Sequence, residues 1–340
     1  MSSEGPLMTV EKTHALSSEN TLQSYFEKAK TLLDFQLQTL QPIVAKLKLH
    51  RQIEYVLQTQ GKRLRSTLVL FAGECVGGKM EDLATLALAV ELMHSATLVH
   101  DDILDGDVFR RNSLSVQAKW GVKEALLVGD SLASLAISLC RGYRGEILDV
   151  MANTCLQLSD GEYMDIQLTR LGGSEKAYLE KVKKKSACLF KAAAECAALA
   201  SNGSPREISA LADFGENFGI AFQIRDDISD VTAARDEMPP DLNELRATLP
   251  LIQLYKNASV ETGLFLKKLE SAKKKAIFDK RILSELRGNL ESSGSMCYCA
   301  AKIDQYFDRA IASLAPLGES DYKNCLVEMA TSLRRSQPTS

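Results

Sequence analysis

The sequence predicts an all-α protein, and three observations favour that fold class. None of the eight prolines falls between Val44 and Gly203. Alternating β-branched runs bounded by Asn-Gly or Asp-Gly turns, the usual signature of strands, are close to absent. Apolar residues instead recur at three- and four-residue spacing almost throughout the chain. We therefore predict long helices that are joined by short turns.

Short clusters of glycine, serine, asparagine and proline mark the predicted helix ends. The most apolar helix ends near Gly106 and contains Glu91 and His94, so we predict a buried core helix rather than a membrane span. No cluster is long enough to be a domain linker. The predicted breaks lie, in order, at 77–78, Gly106, 171–173, 201–205, 238–240 and 292–294.

Composition limits both the organisation and the class of the protein. The 340 residues are 45% hydrophobic and 25% charged, which is ample for a large core. We predict one helical domain over 20–335, a disordered N-terminal extension over 1–19 and a flexible tail over 336–340. The net charge of −3 argues against a nucleic-acid partner. Eight cysteines without zinc-site spacing, and no targeting or transmembrane segment, predict a cytoplasmic location.

Two aspartate clusters of the form Asp-Asp-x-x-Asp each end an apolar helical run. Positions four apart lie on one helix face, so the first and last aspartates of each cluster are predicted to point together. Such carboxylates repel each other in an apolar setting unless a cation lies between them. Magnesium is typically held by one or two carboxylates plus substrate phosphates. The clusters therefore predict a metal-binding mouth of an apolar pocket, and they are Asp101, Asp102 and Asp105, and Asp226, Asp227 and Asp230.

Basic residues near the first cluster favour diphosphate chemistry. Arginine forks match phosphate oxygens in bidentate fashion. One pair of arginines follows the cluster in a predicted loop, and three further cations open an upstream apolar helix. The lysine run over 181–185 is predicted to be mostly a solvated helix face. The five cations near the clusters are Lys62, Arg63, Arg65, Arg110 and Arg111.

In this order the motifs resemble those of the trans-isoprenyl diphosphate synthases, also called polyprenyl synthetases. The resemblance is carried by GKRLR at 61–65, His94, HDDILD at 100–105, the arginine pair and FQIRDDISD at 222–230. It implies an isoprenoid synthase-type bundle of about ten or more helices around a deep central cavity, usually as a homodimer. It also implies a prenyltransferase that joins isopentenyl diphosphate head to tail with an allylic diphosphate, giving an all-trans polyprenyl diphosphate.

The resemblance assigns roles to individual residues. Magnesium, with three ions per active site, would be bound by Asp101, Asp105, Asp226 and Asp230, with Asp102 and Asp227 beside them. Isopentenyl diphosphate would be held by Lys62, Arg65, His94 and Arg111, and the allylic diphosphate would contact Arg110. The catalytic group near the developing allylic cation would be Gln223, with Lys185 and Ser186 at the place of a Lys-Thr pair.

The sequence departs from the family pattern at several positions. Gln60 and Asn112 replace glycines, Ser66 replaces a proline, and Ser186 replaces a threonine. No lysine occurs between Lys191 and Lys256, where the family usually has diphosphate-binding lysines. Arg246 stands in the place of one of them, and Arg235 is the other candidate. An arginine keeps the charge of a lysine but not its geometry.

Product length is predicted from the helix that carries the first cluster. In the resembling family, a bulky aromatic at the fourth or fifth position before the first aspartate stops chain growth. Here these positions hold Thr97 and Ala96, which are small, so the floor of the pocket is predicted to lie deeper. Met93, or a residue on a neighbouring helix such as Leu132 or Leu135, is the candidate. We predict a geranylgeranyl or longer product.

Two alternative functions remain at this point. A class I terpene cyclase shares the fold and the first cluster, but it normally has Ser or Thr where this chain has Asp230, and it needs no second diphosphate site. A non-catalytic subunit of a heteromeric prenyl synthase tends to lose aspartates that are all present here.

Overall fold

In this computed structural model the described residues are 7–59, 61–167, 173–232, 246–275 and 280–335. They fold almost entirely into helices, which confirms the all-α prediction. Gln60, Arg235, the break at 238–240, most of that at 171–173, residues 1–6 and the tail over 336–340 lie outside the described residues. The division into one domain and two terminal extensions stays a prediction.

The helices are numbered in chain order. The first eight are α1 Leu7–Thr39, α2 Gln41–Val44, α3 His50–Gln58, α4 Leu64–Glu74, α5 Met80–Asp105, α6 Val116–Trp120, α7 Val122–Cys140 and α8 Gly145–Gln167. The others are α9 Glu175–Val182, α10 Cys188–Ala200, α11 Pro205–Thr232, α12 Leu249–Lys256, α13 Val260–Lys275, α14 Lys280–Ser292, α15 Ser295–Ser313 and α16 Asp321–Arg335. A π-helical segment, Lys183–Ala187, joins α9 to α10.

Helix ends follow the turn chemistry of the sequence. Gly106 has φ of 69°, a left-handed conformation that glycine adopts without steric cost, and it ends α5. Ser204 and Glu207 form a capping box at the start of α11, with the Ser204 N–H donating to Glu207 at 2.8 Å. The predicted breaks at 77–78, 201–205 and 292–294 also separate helices, so these predictions are confirmed.

The segment after α5 is a small hairpin, although the sequence predicted a loop. Strands β1 (Phe109–Arg110) and β2 (Ser113–Leu114) pair antiparallel, with Arg110 opposite Ser113. Strands of two residues are too short to give an alternating pattern, which is why periodicity did not reveal them. The hairpin holds the arginine pair in a fixed position beside the end of α5.

The packing places α5 and α11 at the centre of the molecule. Helix α5 packs against α4 and α7, while α11 packs against α10 and α15. Among the described residues α5 is the one helix long and apolar enough to cross a membrane, and 61% of its most apolar stretch is buried inside the protein. Core packing therefore accounts for its apolarity, in agreement with the predicted buried helix.

The π-helical segment contacts α8 closely at Gly161. A Cβ added at Gly161 would lie 2.3 Å from the Lys185 backbone nitrogen, so only glycine permits this approach. Single π turns within helices occur frequently at functional sites. This one carries Lys185 and Ser186 to the central cavity.

Candidate active site

A cavity of about 1130 Å³ lies between α5, α8, the π-helical segment and α11. Apolar side chains such as Leu98, Leu158 and Phe222 line it between charged groups. Of the predicted site residues, Lys62, Asp102, Ala96 and Met93 lie off its wall. Those on the wall are Arg65, His94, Thr97, Asp101, Asp105, Arg110, Arg111, Lys185, Ser186, Gln223, Asp226, Asp227, Asp230 and Arg246.

The outer aspartates of the first cluster both face this cavity, as their four-residue spacing predicts. Asp105 accepts a hydrogen bond from the Arg246 guanidinium. Burial raises the pKa of Asp101 well above its usual value; Lys185 opposes this rise, and a hydrogen bond with Glu162 on α8 adds to it. The ionised form of Asp101 is therefore costly unless a cation lies against it.

The middle aspartate of the first cluster points toward the hairpin. Asp102 is 3% exposed, and its Oδ1 accepts a hydrogen bond from Arg110 Nε at 2.6 Å. Arg110 also donates to Asp107 Oδ2 at 3.2 Å. Burial raises the pKa of Asp102 to about 6, against the opposing charge of Arg110. Asp102, which does not line the cavity, thus fixes the position of the Arg110 guanidinium, which does.

The hairpin turn explains one departure from the family pattern. Arg111 and Asn112 have φ of 49° and 63°, in the left-handed region. After glycine, asparagine is among the residues that tolerate this region best, so Asn112 serves where the family has glycine. Arg111 donates to the Thr59 carbonyl at 2.9 Å, and its guanidinium packs against Gly61. A Cβ at Gly61 would lie 2.3 Å from Arg111 Nη2.

A half-buried arginine and a half-buried histidine form the opposite part of the wall. The Arg65 guanidinium donates to His94 Nε2 at 3.2 Å and lies 4.1 Å from the ring centroid of Phe190. Burial lowers the pKa of Arg65 to about 10, and burial with the Arg65 charge lowers the pKa of His94 well below its usual value. At neutral pH a charged Arg65 therefore faces a neutral His94 that is protonated on Nδ1. Arg65 Nε is buried and has no hydrogen-bond partner among the described residues, which favours an anionic ligand.

Ser66, which replaces the family proline, lies in the first turn of α4 and contacts both the preceding loop and α5. The Ser66 hydroxyl lies 3.0 Å from both the Arg63 carbonyl and Glu91 Oε2. Arg63 itself has φ of 51° and forms an ion pair with Asp34 on α1, so it is held away from the cavity. Lys62 is exposed beside it.

The second cluster repeats the arrangement of the first. Asp226 and Asp230 line the cavity from α11, and burial raises the pKa of Asp226. Asp227 is 4% exposed and accepts hydrogen bonds from Tyr178 at 2.7 Å and from Gln223 at 2.9 Å. In both clusters, then, the outer carboxylates face the cavity while the middle one is bound by neighbouring side chains.

A buried acidic residue that the sequence interpretation missed binds three cations. Asp165 on α8 accepts from Lys181 at 2.8 Å, from Lys185 at 2.7 Å and from Arg246 at 3.1 Å. Lys185 also pairs with Glu162 at 2.9 Å. The prediction of a solvated lysine run was wrong for Lys181, which is 7% exposed because its charge is neutralised inside the protein. The available signal was the Glu-x-x-Asp spacing of 162 and 165, which puts both on one face of α8.

The donor set fits magnesium that is shared with substrate phosphates. Among the described residues no three carboxylates, histidines or cysteines are grouped as a complete metal cage. Magnesium does not need one, since one or two carboxylates plus phosphate oxygens and water suffice. Partial burial raises the pKa of Asp101 and of Asp226 in spite of the neighbouring Lys185 and Arg225, so additional positive charge would favour the ionised carboxylates. A divalent cation would supply that charge from within the cavity.

Comparison with known sequences gives one consistent answer. A family model described as polyprenyl synthetase matches residues 46–286. A geranylgeranyl diphosphate synthase from Methanosarcina mazei is 31% identical over 321 residues, which cover 91% of this chain and 96% of that protein. An octaprenyl diphosphate synthase from Escherichia coli is 28% identical over 285 residues, which cover 81% of this chain and 86% of that one.

Solved structures agree with the sequence relatives. A geranylgeranyl pyrophosphate synthetase from Pyrococcus horikoshii has a TM-score of 0.82 and 28% identity, covering 93% of this chain and 98% of its own. A Caulobacter crescentus polyprenyl synthase, complexed with calcium and isoprenyl diphosphate, has a TM-score of 0.82 and 27% identity, with 94% and 97% coverage. The predicted fold, enzyme class and trans-prenyl chain elongation are thereby confirmed. The chain belongs to the polyprenyl synthetase family.

Proposed function

We propose that this prenyltransferase condenses isopentenyl diphosphate with an allylic diphosphate in a Mg²⁺-dependent reaction in the cytoplasm, and that its product is geranylgeranyl or longer. The observation that carries this proposal is the composition of one cavity wall. Carboxylates from α5 and α11 meet there with Arg65, whose buried Nε has no hydrogen-bond partner among the described residues. Such a wall suits two diphosphates and the cations between them.

The basic side chains of the cavity would bind the two diphosphate substrates in two separate groups. Arg65, His94 and Arg111 would hold isopentenyl diphosphate, because they line one part of the cavity and Arg65 carries an unfilled donor. Lys62 would join them from the exposed loop beside Arg65. Arg110 would contact the allylic diphosphate, with Asp102 fixing its guanidinium. Arg246 would reach the same diphosphate from its position between the α5 and α8 carboxylates.

Bond formation follows departure of the allylic diphosphate. Mg²⁺, when bound at Asp101, Asp105, Asp226 and Asp230, supplies the positive charge that offsets the leaving group. Gln223 and Ser186 line the cavity where the allylic cation would form, and the Gln223 carbonyl oxygen accepts a hydrogen bond from the Ser186 hydroxyl there. The dipoles of these oxygen atoms would favour positive charge. The isopentenyl double bond attacks this cation, and the released diphosphate takes the proton that is lost. His94, neutral and engaged with Arg65, is not required as the base.

Incubation of the purified protein with isopentenyl diphosphate, an allylic primer and Mg²⁺ tests the proposal. We expect linear chain elongation by this chain alone. A cyclic hydrocarbon made from the allylic substrate would instead identify a terpene cyclase. Turnover that appears only after a second polypeptide is added would identify a subunit of a heteromeric synthase.

The register of α5 and α8 supports the proposed product length. Asp101 on α5 interacts with Glu162 on α8. The Met93 sulfur, eight residues before Asp101, lies 3.6 Å from the sulfur of Cys155, seven residues before Glu162. The two helices therefore run in the same direction, and the sulfur pair closes the cleft between them about 12 Å below Asp101. Thr97 lines the cavity above this pair, whereas Met93 is 3% exposed in the core. This arrangement supports a floor at Met93 rather than at Thr97 or Ala96.

Substitution on α5 should shorten the product. We expect wild type to release geranylgeranyl or longer diphosphate, and Ala96→Phe to shorten it by at least one isoprene unit, because the ring would fill the cleft above Met93. Ala96 is 3% exposed and Phe can overpack the core, so Thr97→Phe, which faces the cavity, provides a second variant. Chromatography of the dephosphorylated products measures the length. A wild type that stops at farnesyl, or folded variants with unchanged products, would contradict the assignment.

Exposed apolar side chains on α7 and α8 support a homodimer. Leu127 and Leu156 are 51% and 70% exposed on these two helices, which pack against each other, and large exposed apolar side chains on neighbouring helices favour a protein partner. Light scattering should give about twice the chain mass of 37.3 kDa. Leu156→Glu should lower it toward the monomer, while Leu264→Glu, at a 63% exposed leucine on α13, should not. A monomeric wild type would refute this proposal.

A further inference from the structure

Tyr178 is a fully buried residue on α9 whose hydroxyl hydrogen-bonds a residue of the active-site wall. Its side chain is 0% exposed, and its hydroxyl donates to Asp227 Oδ2 at 2.7 Å. Asp227 is itself 4% exposed. A buried phenol that donates to a buried carboxylate makes a short, charge-assisted hydrogen bond of fixed geometry. Tyr178 therefore determines where one oxygen of Asp227 lies.

The other oxygen of Asp227 determines which way the Gln223 amide faces. Gln223 precedes Asp227 by one helical turn and donates from Nε2 to Asp227 Oδ1 at 2.9 Å. Only the NH₂ end of an amide can donate, so this end of the side chain faces Asp227. The carbonyl end then faces the opposite way, where it accepts from the Ser186 hydroxyl at 2.6 Å. Gln223 and Ser186 both line the cavity.

Amide orientation matters because the two ends carry opposite partial charges. A carbonyl oxygen toward the cavity favours a carbocation, whereas an NH₂ group in the same place would repel it. Without the Tyr178 hydroxyl, Asp227 Oδ2 would lose a buried donor, and the carboxylate could rotate toward the remaining donors. The amide would then lose the partner that fixes its orientation.

We propose that Tyr178 is a positioning residue that acts through Asp227 to keep the Gln223 carbonyl oxygen directed at the reacting allylic group. The inference rests on the proposed function, since it needs a cation in this cavity. Tyr178 does not line the cavity, and it reaches the second aspartate cluster only through Asp227. Its contribution should appear in the chemical step and not in the binding of either diphosphate.

Tyr178→Phe removes one oxygen atom and keeps the ring that fills the core. We expect kcat for a single condensation to fall about tenfold, with KM for both diphosphates unchanged. Tyr298→Phe is the matched control. The Tyr298 hydroxyl also donates to a carboxylate at 2.7 Å, that of Glu175 on α9, and neither residue lines the cavity. The control should retain wild-type kcat, which separates positioning from a general loosening of α9.

A double-mutant cycle decides whether Tyr178 acts through Gln223. In a Gln223→Ala background the Tyr178→Phe change should have no further effect on kcat, because the amide that it positions is gone. An equal further loss in that background, an unchanged kcat in Tyr178→Phe, or an equal loss in Tyr298→Phe would each overturn the inference. If wild type failed to elongate in this assay, the proposed function and the inference would both fall. An active wild type with any of the preceding results would remove the inference alone.

Discussion

Asp101→Asn and Asp226→Asn should each lower kcat by about 10²–10³-fold, the loss seen when a preorganised electrostatic group is removed from an active site. The two carboxylates reach the same cavity from α5 and α11, and burial raises the pKa of both. Each variant removes a charge that a divalent cation would need. Chelation of Mg²⁺ should abolish turnover of the wild type for the same reason.

Calorimetric titration of Mg²⁺ in the presence of a diphosphate gives a readout that is independent of turnover. We expect both variants to bind the ion more weakly than wild type and than Asp149→Asn, whose aspartate is exposed on α8 away from the cavity. The melting temperature of Asp101→Asn should not fall, because ionisation of this partly desolvated carboxylate costs stability at neutral pH. Wild-type rates in both variants would show the metal assignment to be wrong.

Asp165→Asn should lower the free energy of unfolding by about 3–5 kcal/mol, the usual cost of removing one partner from a buried ion pair. Its carboxylate neutralises Lys181, Lys185 and Arg246 at once. Lys181 and Arg246 are 7% and 6% exposed, so water cannot replace the lost charge. Denaturant unfolding of wild type and variant measures the difference.

The stability that Asp165 contributes should depend on pH in one direction. Burial opposes its ionisation, but Lys181 and Lys185 outweigh this and lower the pKa of Asp165 below its usual 3.8. A group of this kind stabilises the fold above the unfolded-state pKa and loses that contribution as the pH falls through the folded-state value. The difference in free energy of unfolding between wild type and Asp165→Asn should therefore be at its full value at neutral pH. It should become smaller below about pH 4.

Three further variants test how the Asp165 network differs from an ordinary ion pair and what Arg246 contributes. Asp304→Asn breaks an exposed pair with Arg334 and should cost about 1 kcal/mol or less. Arg246→Ala should weaken binding of the allylic diphosphate, and Arg246→Lys should recover part of the loss because the charge returns without the fork. If Asp165→Asn cost no more than Asp304→Asn, the three cations would not depend on Asp165.

The outer aspartates of both clusters were predictable because their geometry is local. Four-residue spacing on a helix places Asp101 with Asp105, and Asp226 with Asp230, whatever the rest of the chain does. The family motifs likewise identified cations that line the cavity, including Arg65 and Arg246.

The contacts that hold the cavity-lining residues in place were not predictable, because the partners in each contact are distant in sequence. Tyr178 meets Asp227, and Asp165 meets Arg246, only after the helices have packed. The π-helical turn at 183–187 depends in the same way on the close approach of α8 at Gly161. Periodicity describes one helix at a time, so it gives the face of a residue but not its partner.

Gly61 shows that the space available for a side chain, and not only its charge, can limit which residue is tolerated beside this pocket. Its backbone has no positive φ, so it is not there for a special turn. The guanidinium of Arg111, from a hairpin fifty residues away, occupies the volume that a Cβ at Gly61 would need. A side chain at Gly61 would therefore displace the far end of Arg111 and not the backbone of the loop. A redesign that treats this loop glycine as merely flexible would move one of the cations proposed to hold a diphosphate.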